Sequence, residues 1–394
     1  MGACTALALA RRGKDVTLFD REVRAVDRAS RWNEGKIHLG YLYGADDSLA
    51  TARHVLPGSL LFGPILSDLT STNIADFATQ SDDTYFVHRK SVVSPDQIEA
   101  TFLGVSGLVR DHPDAVKYFA DVSTANAHRL RRDELDRFTN SPQIVAAFTV
   151  PERSVNTRRV ADAIEEALFA EPRIELRLGT EITAVVPNEA DAERWSVRRS
   201  VQHAGQDTEE YGIVINCLWN GRLQIDVTAG LKPPMEWSNR YRLALFVRTK
   251  RDIDVACGLI AVGPFGDVKS YSKRDFYLSW YPAGLVLQDS EVAPMDPRPI
   301  PQARKDAIIV AVKAELGGLL PMVRPIFDAA QTIECDGGFV YACGTGSLAD
   351  PASSLHRRDL FGVERLGNYF SVDTGKYATA PWLAEELSKV ICGE

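Results

Sequence analysis

The sequence predicts an α/β fold in which a parallel-sheet domain, assembled from discontinuous pieces of chain, carries an inserted antiparallel-sheet α+β domain. Three observations predict it. The opening stretch "MGACTALALARRGKDVTLFD" reads as a small-residue helix, a glycine stop and a strand ending in an acid. The middle stretch "NTRRVADAIEEALFAEPRIELRLGTEITAVV" repeats the helix-to-strand alternation, and "YATAPWLAEELSKVI" closes the chain with a helix. Between these, Tyr241 to Pro282 holds four strand-like runs close together: "RLALFVRT", "GLIAVG", "DVKSYSK" and "FYLSWYP". A chain of 394 residues exceeds what one core usually organises. The division expected is 1–66, 149–231 and 333–394 for the first domain, and 67–148 with 232–332 for the second.

Taken in order, the elements follow from local chemistry. Gly2, Ala3, Ala6, Ala8 and Ala10 give the first helix a close-packing half; Gly13 ends it, and Val16 to Phe19 is a strand. The turn Asn33-Glu34-Gly35 leads into a short alternating strand from Lys36 to Tyr43, and Asp46-Asp47-Ser48 caps a helix from about Leu49. Residues 84–92 read as a strand. Residues 95–104 and 113–137 read as helices, with Pro95 and Pro113 near their starts. Asn156-Thr157 caps an amphipathic helix from Arg158 to Phe169, and "RIELRL", "EITAVV" and "RWSVRRSV" follow as strands. Residues 213–217, Ile-Val-Ile-Asn-Cys, read as a fully buried parallel strand. A helix over "IPQARKDAIIVAVKAELGGLLPMV" and a buried strand over "GGFVYACG" precede the closing helix.

The opening stretch has the order of the second half of a Rossmann βαβ unit. In that unit a third glycine lets helix and strand pack closely, and an acid after the second strand takes the adenosine ribose hydroxyls. Gly2 suits the first role and Asp20 the second. The opening strand and the two phosphate-facing glycines are then expected just before residue 1. A central strand buries five or six apolar side chains, on the order of 10 kcal/mol. That is comparable to a whole domain's stability of about 5–15 kcal/mol, so the natural chain is expected to begin upstream of Met1.

Composition excludes several classes. The net charge is −8 and the short basic runs "RLRRDEL" and "LHRRDL" are mixed with acids, which argues against a nucleic-acid partner. No window approaches the ~20 apolar residues of a membrane span, and the start lacks a basic leader. The six cysteines, at 4, 217, 257, 335, 343 and 392, form no C-x-x-C pair. They read as free thiols in a reducing cytoplasm, with no metal site.

With these residues and this order, the sequence resembles the D-amino-acid oxidase / glycine oxidase / sarcosine oxidase superfamily. The carriers are Gly2 to Asp20, "VPERSVNTRRVADAIEEAL…GTEITAVV", "VINCLWNGR" and "YFSVDTGKYATAPWLAEEL". The resemblance implies a glutathione-reductase-like Rossmann FAD domain with a sheet domain over the flavin. Position by position, it implies FAD contacts at Gly2, at Asp20 with Arg21 beside it, and at Ile182 in the strand near adenine. It implies further contacts at Asn216, Cys217 and Trp219 along the pyrophosphate and ribityl chain, and at Gly375, Lys376, Tyr377 and Thr379 beside the pyrimidine edge. Reduced flavin is negative at that edge, where a helix start and a lysine are favourable. The segment "WNEGKIHLGYLYG" departs from the family's usual opening and offers Lys36 and His38 as catalytic candidates. The stretch "FYLSWYPAG" offers Tyr277 where some relatives carry an oxygen-promoting lysine, and Arg242 or Arg240 could fork onto a substrate carboxylate.

The function implied is hydride transfer from the C–H of an amine, amino acid or 2-hydroxy acid to flavin N5. It calls for a small-molecule substrate and leaves the oligomeric state open. Two alternatives stay open on sequence: a cofactor-free relative serving as a subunit or binding module, and an NAD(P)-dependent dehydrogenase.

Overall fold

The computed structural model describes residues 1–201 and 205–394. Its dominant feature is a nine-stranded sheet. The order across it is Leu285–Asp289, Trp237–Thr249, Asp275–Trp280, Gly266–Ser270, Gly258–Ala261, Asp83–His88, Ile144–Val150 and His128–Arg129. Ala330–Cys343 pairs along nearly the whole of Trp237–Thr249. All its pairings are antiparallel except Gly258–Ala261 against Asp83–His88, which run parallel. The antiparallel sheet expected from Tyr241 to Pro282 is therefore present, extended by strands from both chain halves.

Alternation sorts the two faces of this sheet. Along Trp237–Thr249, Tyr241, Leu243, Leu245 and Val247 enter one core with Val268, Phe276 and Leu278. The helix Gln302–Leu319 covers that face through Ile308, Val312 and Leu316. The opposite residues, Arg240, Arg242, Ala244 and Phe246, share the other face with Tyr277, which pairs Phe246 in register. Asp83, Tyr85 and Val87 belong to that face as well, and Tyr85 and Val87 join the larger core.

The second layer is α/β. Helix Gly2–Arg11 packs on Ala380–Cys392, and Val16–Phe19 pairs in parallel with Ile174–Arg177. Val214–Asn216 pairs in parallel with Tyr369–Asp373, which continues into Gly362–Leu366. These two parallel pieces are separate sheets among the described residues. Asn156 caps helix Thr157–Ala170 by accepting a hydrogen bond from the Arg159 N–H, and Ser94 caps Pro95–Asp111 with a full capping box to Gln97.

Four local expectations need correction. The strand from Lys36 is only Lys36–Ile37; Gly40, at φ +121°, turns the chain into a 3-10 turn at Tyr41–Tyr43. Residues 113–137 are not one helix. They hold a 3-10 turn at Ala115–Lys117, the strand His128–Arg129 and one helical turn at Arg132–Leu135. Tyr118 explains the break. Its hydroxyl donates to the Ile37 carbonyl at 2.7 Å and accepts from the Arg153 N–H at 2.8 Å, a tertiary clasp that a helix would pull away. The strand expected over 84–92 ends at His88, where the chain turns. The strand at 213–217 is parallel but not fully buried, since Ile213 is exposed and Val214 and Ile215 are half-buried. No helix among the described residues is long and apolar enough to cross a membrane.

Candidate active site

Positive charge gathers where the sheet's polar face meets the α/β layer. Arg240 is buried and its guanidinium donates to the Tyr281 hydroxyl at 3.2 Å. Arg242, two residues on and therefore on the same face, lies over the Tyr281 ring at 4.4 Å from its centroid. Lys376, in the loop before the closing helix, lies 5.4 Å from the centre of the Tyr43 ring. Arg358 is buried beside them, and its backbone N–H is held by the Thr51 hydroxyl at 3.0 Å. None of these four cations has an acidic partner within salt-bridge distance among the described residues.

The electrostatics record the crowding. Burial first, then Arg358, pulls the Lys376 ammonium down to about 7, against an opposing pull from Glu34. Burial, then Arg240, pulls the Arg358 guanidinium down to about 10. Glu34, half-buried, is drawn below the ordinary carboxylate range; burial opposes this, and Arg242 and Lys376 overcome it. His38 is held well below the usual imidazole range by burial and by Lys376, Lys36, Lys269 and Arg358, so it is neutral at neutral pH. Its ring is 6.0 Å from that of Tyr43.

Lys36 has a different setting. It is fully enclosed with Asp83, Glu152 and Lys269. Lys269 donates to Asp83 at 2.8 Å, and Lys36 lies 3.1 Å from Glu152 and bonds Asp83. Glu152 also accepts the Tyr85 hydroxyl at 2.6 Å and the Leu39 N–H at 2.7 Å. The network therefore fixes the backbone directly after His38. Tyr277 is buried against Phe246 with Trp32 and Tyr271 packed on the pair.

The remaining expected contacts lie in the α/β layer. Gly2 brings its helix close to Cys217: an added Cβ would meet the Cys217 Cβ at 3.4 Å. Burial pushes the Cys217 thiol up to about 11. Asp20 follows the strand Val16–Phe19; one of its oxygens accepts the Glu22 N–H at 2.9 Å, and burial raises its carboxyl. Arg21 is at the surface, 3.4 Å from Asp296. Ile182 is half-buried against Val185 and Trp195. Asn216 spends its amide on the Arg222 carbonyl, Asp226 and Tyr369, each at 2.9 Å. Trp219 sits at φ +54° and donates its indole N–H to the Phe339 carbonyl at 2.8 Å.

In the loop before the closing helix, Gly375 has φ +62°, and a Cβ there would stand 2.4 Å from the Phe361 ring. Its N–H is held by Asp373 at 2.8 Å. Thr379 precedes the helix, but its hydroxyl donates back to the Lys376 carbonyl at 2.7 Å rather than capping a helical N–H. Tyr377 packs 5.4 Å from Phe62. A groove of about 530 Å³ lies apart from the cation cluster, between Arg28, Asp296, Arg298, Ile300, Lys305 and Asp336. The chemistry, rather than this opening, marks the site, because the unanswered charges converge elsewhere.

Sequence reasoning passed over Arg358 and Tyr43. In "LHRRDL" the two arginines look alike, yet Arg357 is exposed and paired with Asp359 while Arg358 turns inward. The available signal was the alternation of an extended segment.

The match to known proteins decides the class. Residues 1–349 match the model of the family described as FAD dependent oxidoreductase. This chain belongs to that family. Solved structures with the same fold include iminodiacetate oxidase from Chelativorans sp. BNC1, at TM-score 0.67 and 16% identity, covering 100% of this chain and 93% of that one. Glycine oxidase from Geobacillus kaustophilus gives 0.64 and 13%, covering 99% and 90%. L-α-glycerophosphate oxidase from Mycoplasma pneumoniae gives 0.63 and 11%, covering 99% and 92%. A search of curated protein sequences returns no match.

The residues fit the family's cofactor. At one end Asp20 keeps an oxygen with no partner among the described residues. At the other, Arg240 Nε, Arg242 Nε, Arg358 Nη1, His38 Nδ1 and the Tyr43 hydroxyl are buried without hydrogen-bond partners. Buried donors are normally satisfied. Four orphaned donors in one place, three guanidinium N–H groups and the Tyr43 hydroxyl, call for a polar ligand of negative character, as the pyrimidine edge of a flavin and an acid substrate both are.

Proposed function

We propose that this FAD-dependent oxidoreductase oxidises a small acid at a C–H bond that bears an amine or hydroxyl. The observation that carries the reading is the set of cations Arg240 and Arg358, buried, and Arg242 and Lys376, half-buried, with no carboxylate within salt-bridge distance among the described residues. Burying a charge is costly unless it is paired, so such a set is retained for an anionic ligand. Structural neighbours include oxidases of glycine, iminodiacetate and L-α-glycerophosphate, all of which carry an acid group.

FAD, when bound, supplies the two-electron acceptor. The chain's residues do the positioning. We assign Lys376 and the Gly375 to Thr379 loop to the pyrimidine edge, and Asp20 to the adenosine ribose, with Gly2, Arg21, Ile182, Cys217 and Trp219 in the adjoining wall. The guanidinium groups of Arg240 and Arg242 grip the substrate's acid. His38, neutral and with Nδ1 free, can take a proton from the reacting amine or hydroxyl. Tyr277 borders the cleft from the sheet. Lys36 acts through the Asp83–Glu152 network that holds the His38 segment. The division expected from sequence gives a cofactor domain from 1–66, 149–231 and 333–394, and a substrate domain from 67–148 and 232–332.

The test is spectroscopic. Purified protein loaded with FAD is mixed anaerobically with a panel of amino acids, N-substituted glycines and 2-hydroxy acids. At least one acid is expected to bleach the visible flavin band, while the matched neutral amides do not. Bleaching by neutral amines or alcohols alone would contradict the reading.

A further inference from the structure

Arg240 and Arg242 stand two residues apart on the strand Trp237–Thr249 and share one face of the sheet. At a rise of about 3.3 Å per residue their backbones are about 7 Å apart. Two long cationic side chains that close repel one another and are free to splay. One side chain meets both of them. Tyr281 begins the helical turn Tyr281–Gly284 that follows the strand Asp275–Trp280. Its backbone N–H donates to the Phe265 carbonyl at 2.8 Å. Gly284 brings the turn against the arginine strand, where a Cβ would stand 2.2 Å from the Leu243 carbonyl oxygen. Tyr281 is therefore fixed from two sides, and it is buried.

The phenol offers each arginine one of its electron-rich parts. Arg240 donates to the hydroxyl oxygen at 3.2 Å, and Arg242 lies 4.4 Å from the ring centre. A guanidinium only donates, so the oxygen accepts and the hydroxyl hydrogen points elsewhere. Among the described residues neither guanidinium has another hydrogen-bond or ion-pair partner, and the Nε of each is buried without one. Glu34 and Asp267 face Arg242 from beyond salt-bridge distance. A carboxylate at position 281 would hold the same two arginines but cancel a unit of their charge. A phenol orders them and leaves the charge for a ligand.

We propose that Tyr281 is a positioning residue for acid recognition, which presets Arg240 through its hydroxyl and Arg242 through its ring as one fork without neutralising either. This rests on the acid-substrate reading and names the side chain that shapes the acid-binding end of the cleft.

The FAD-loaded enzyme is titrated with acetate, and with acetamide as the neutral control, and binding is read from the flavin absorption. The wild type is expected to prefer acetate. Y281F keeps the ring but releases Arg240, and acetate binding should weaken about three- to tenfold, the cost of ordering one freed side chain. Y281L releases both arginines and should weaken it about three- to tenfold more. Y281E orders both but cancels charge, and should bind acetate more weakly than Y281F. Acetamide binding and retention of FAD should be unchanged in Y281F. The decisive readout is coupling. In an R240Q background Y281F should change acetate binding by less than about twofold, while Y281L still weakens it through Arg242. Should R240Q bind no acetate, the grading from wild type through Y281F to Y281L decides in its place. A full, additive Y281F loss in R240Q, an ungraded series, or wild-type acetate binding in Y281E would overturn the proposal and leave the acid-substrate reading standing. A wild type with no preference for acetate over acetamide would overturn both.

Discussion

Lys376 is the side chain whose titration reports the site. In the unfolded chain a lysine ionises near pH 10.4; here burial and the neighbouring Arg358, Arg240 and Arg242 pull it down to about 7, with only Glu34 opposing. The folded-state value is lowered, so between those two values the unfolded chain binds the extra proton. Stability therefore rises with pH across that window. An anion in the cleft restores the proton and flattens the slope. Thermal midpoints measured at about pH 7 to 10, with and without malonate, should show the slope only without it, and K376M should lose it in both. Next to Lys376, Gly375 meets a steric rather than an electrostatic demand. G375A places a Cβ against Phe361 at φ +62°, and the expected loss is about 1–3 kcal/mol in urea unfolding. The loop was legible in sequence, because "TGKYATAP" joins a glycine, a lysine and a helix start. Arg358 was not: the alternation of an extended segment says that one of two adjacent arginines faces inward, but not which.

Among the elements, the strand Trp237–Thr249 shows how a two-residue period builds a site. It sends Leu243, Leu245 and Val247 into the core and leaves Arg240 and Arg242 on the opposite face. That pattern can be read from "RYRLALFV", and so could the helix at 95 from its leading proline and the helix after Asn156 from its cap. The region 113–137 could not, since its shape is set by the Tyr118 clasp between Ile37 and Arg153, residues distant in sequence. The short strand Lys36–Ile37 is likewise a tertiary outcome. Lys36 reads as a catalytic candidate in sequence, yet Asp83 binds it and Lys269 in a site closed to solvent. Removing that carboxylate leaves the buried Lys269 ammonium without its acid and Lys36 with Glu152 alone. D83A should cost about 3–5 kcal/mol of stability, measured by urea unfolding. Because Glu152 also holds the Leu39 N–H, the loss should extend to amide protection of residues 37–40 in hydrogen exchange.

For the whole molecule, two layers meet across one polar face. The nine-stranded sheet brings the arginines, and the α/β layer brings the acid of Asp20, the Gly2 helix and the Lys376 loop. The α/β class and the inserted sheet were legible because periodicity is a local property. The pairing of Ala330–Cys343 with Trp237–Thr249, about 90 residues apart in the chain, was not, because pairing partners are chosen by tertiary packing. The central claim is that FAD lies between these layers, with Lys376 at its flavin end. Hydrogen exchange compared with and without saturating FAD tests it most directly. Protection is predicted to rise together at residues 20–22, 34–43 and 374–379, with no change in the helix Gln302–Leu319 on the far face of the sheet. Protection confined to the groove lined by Arg298 and Lys305, with none at 374–379, would contradict the account.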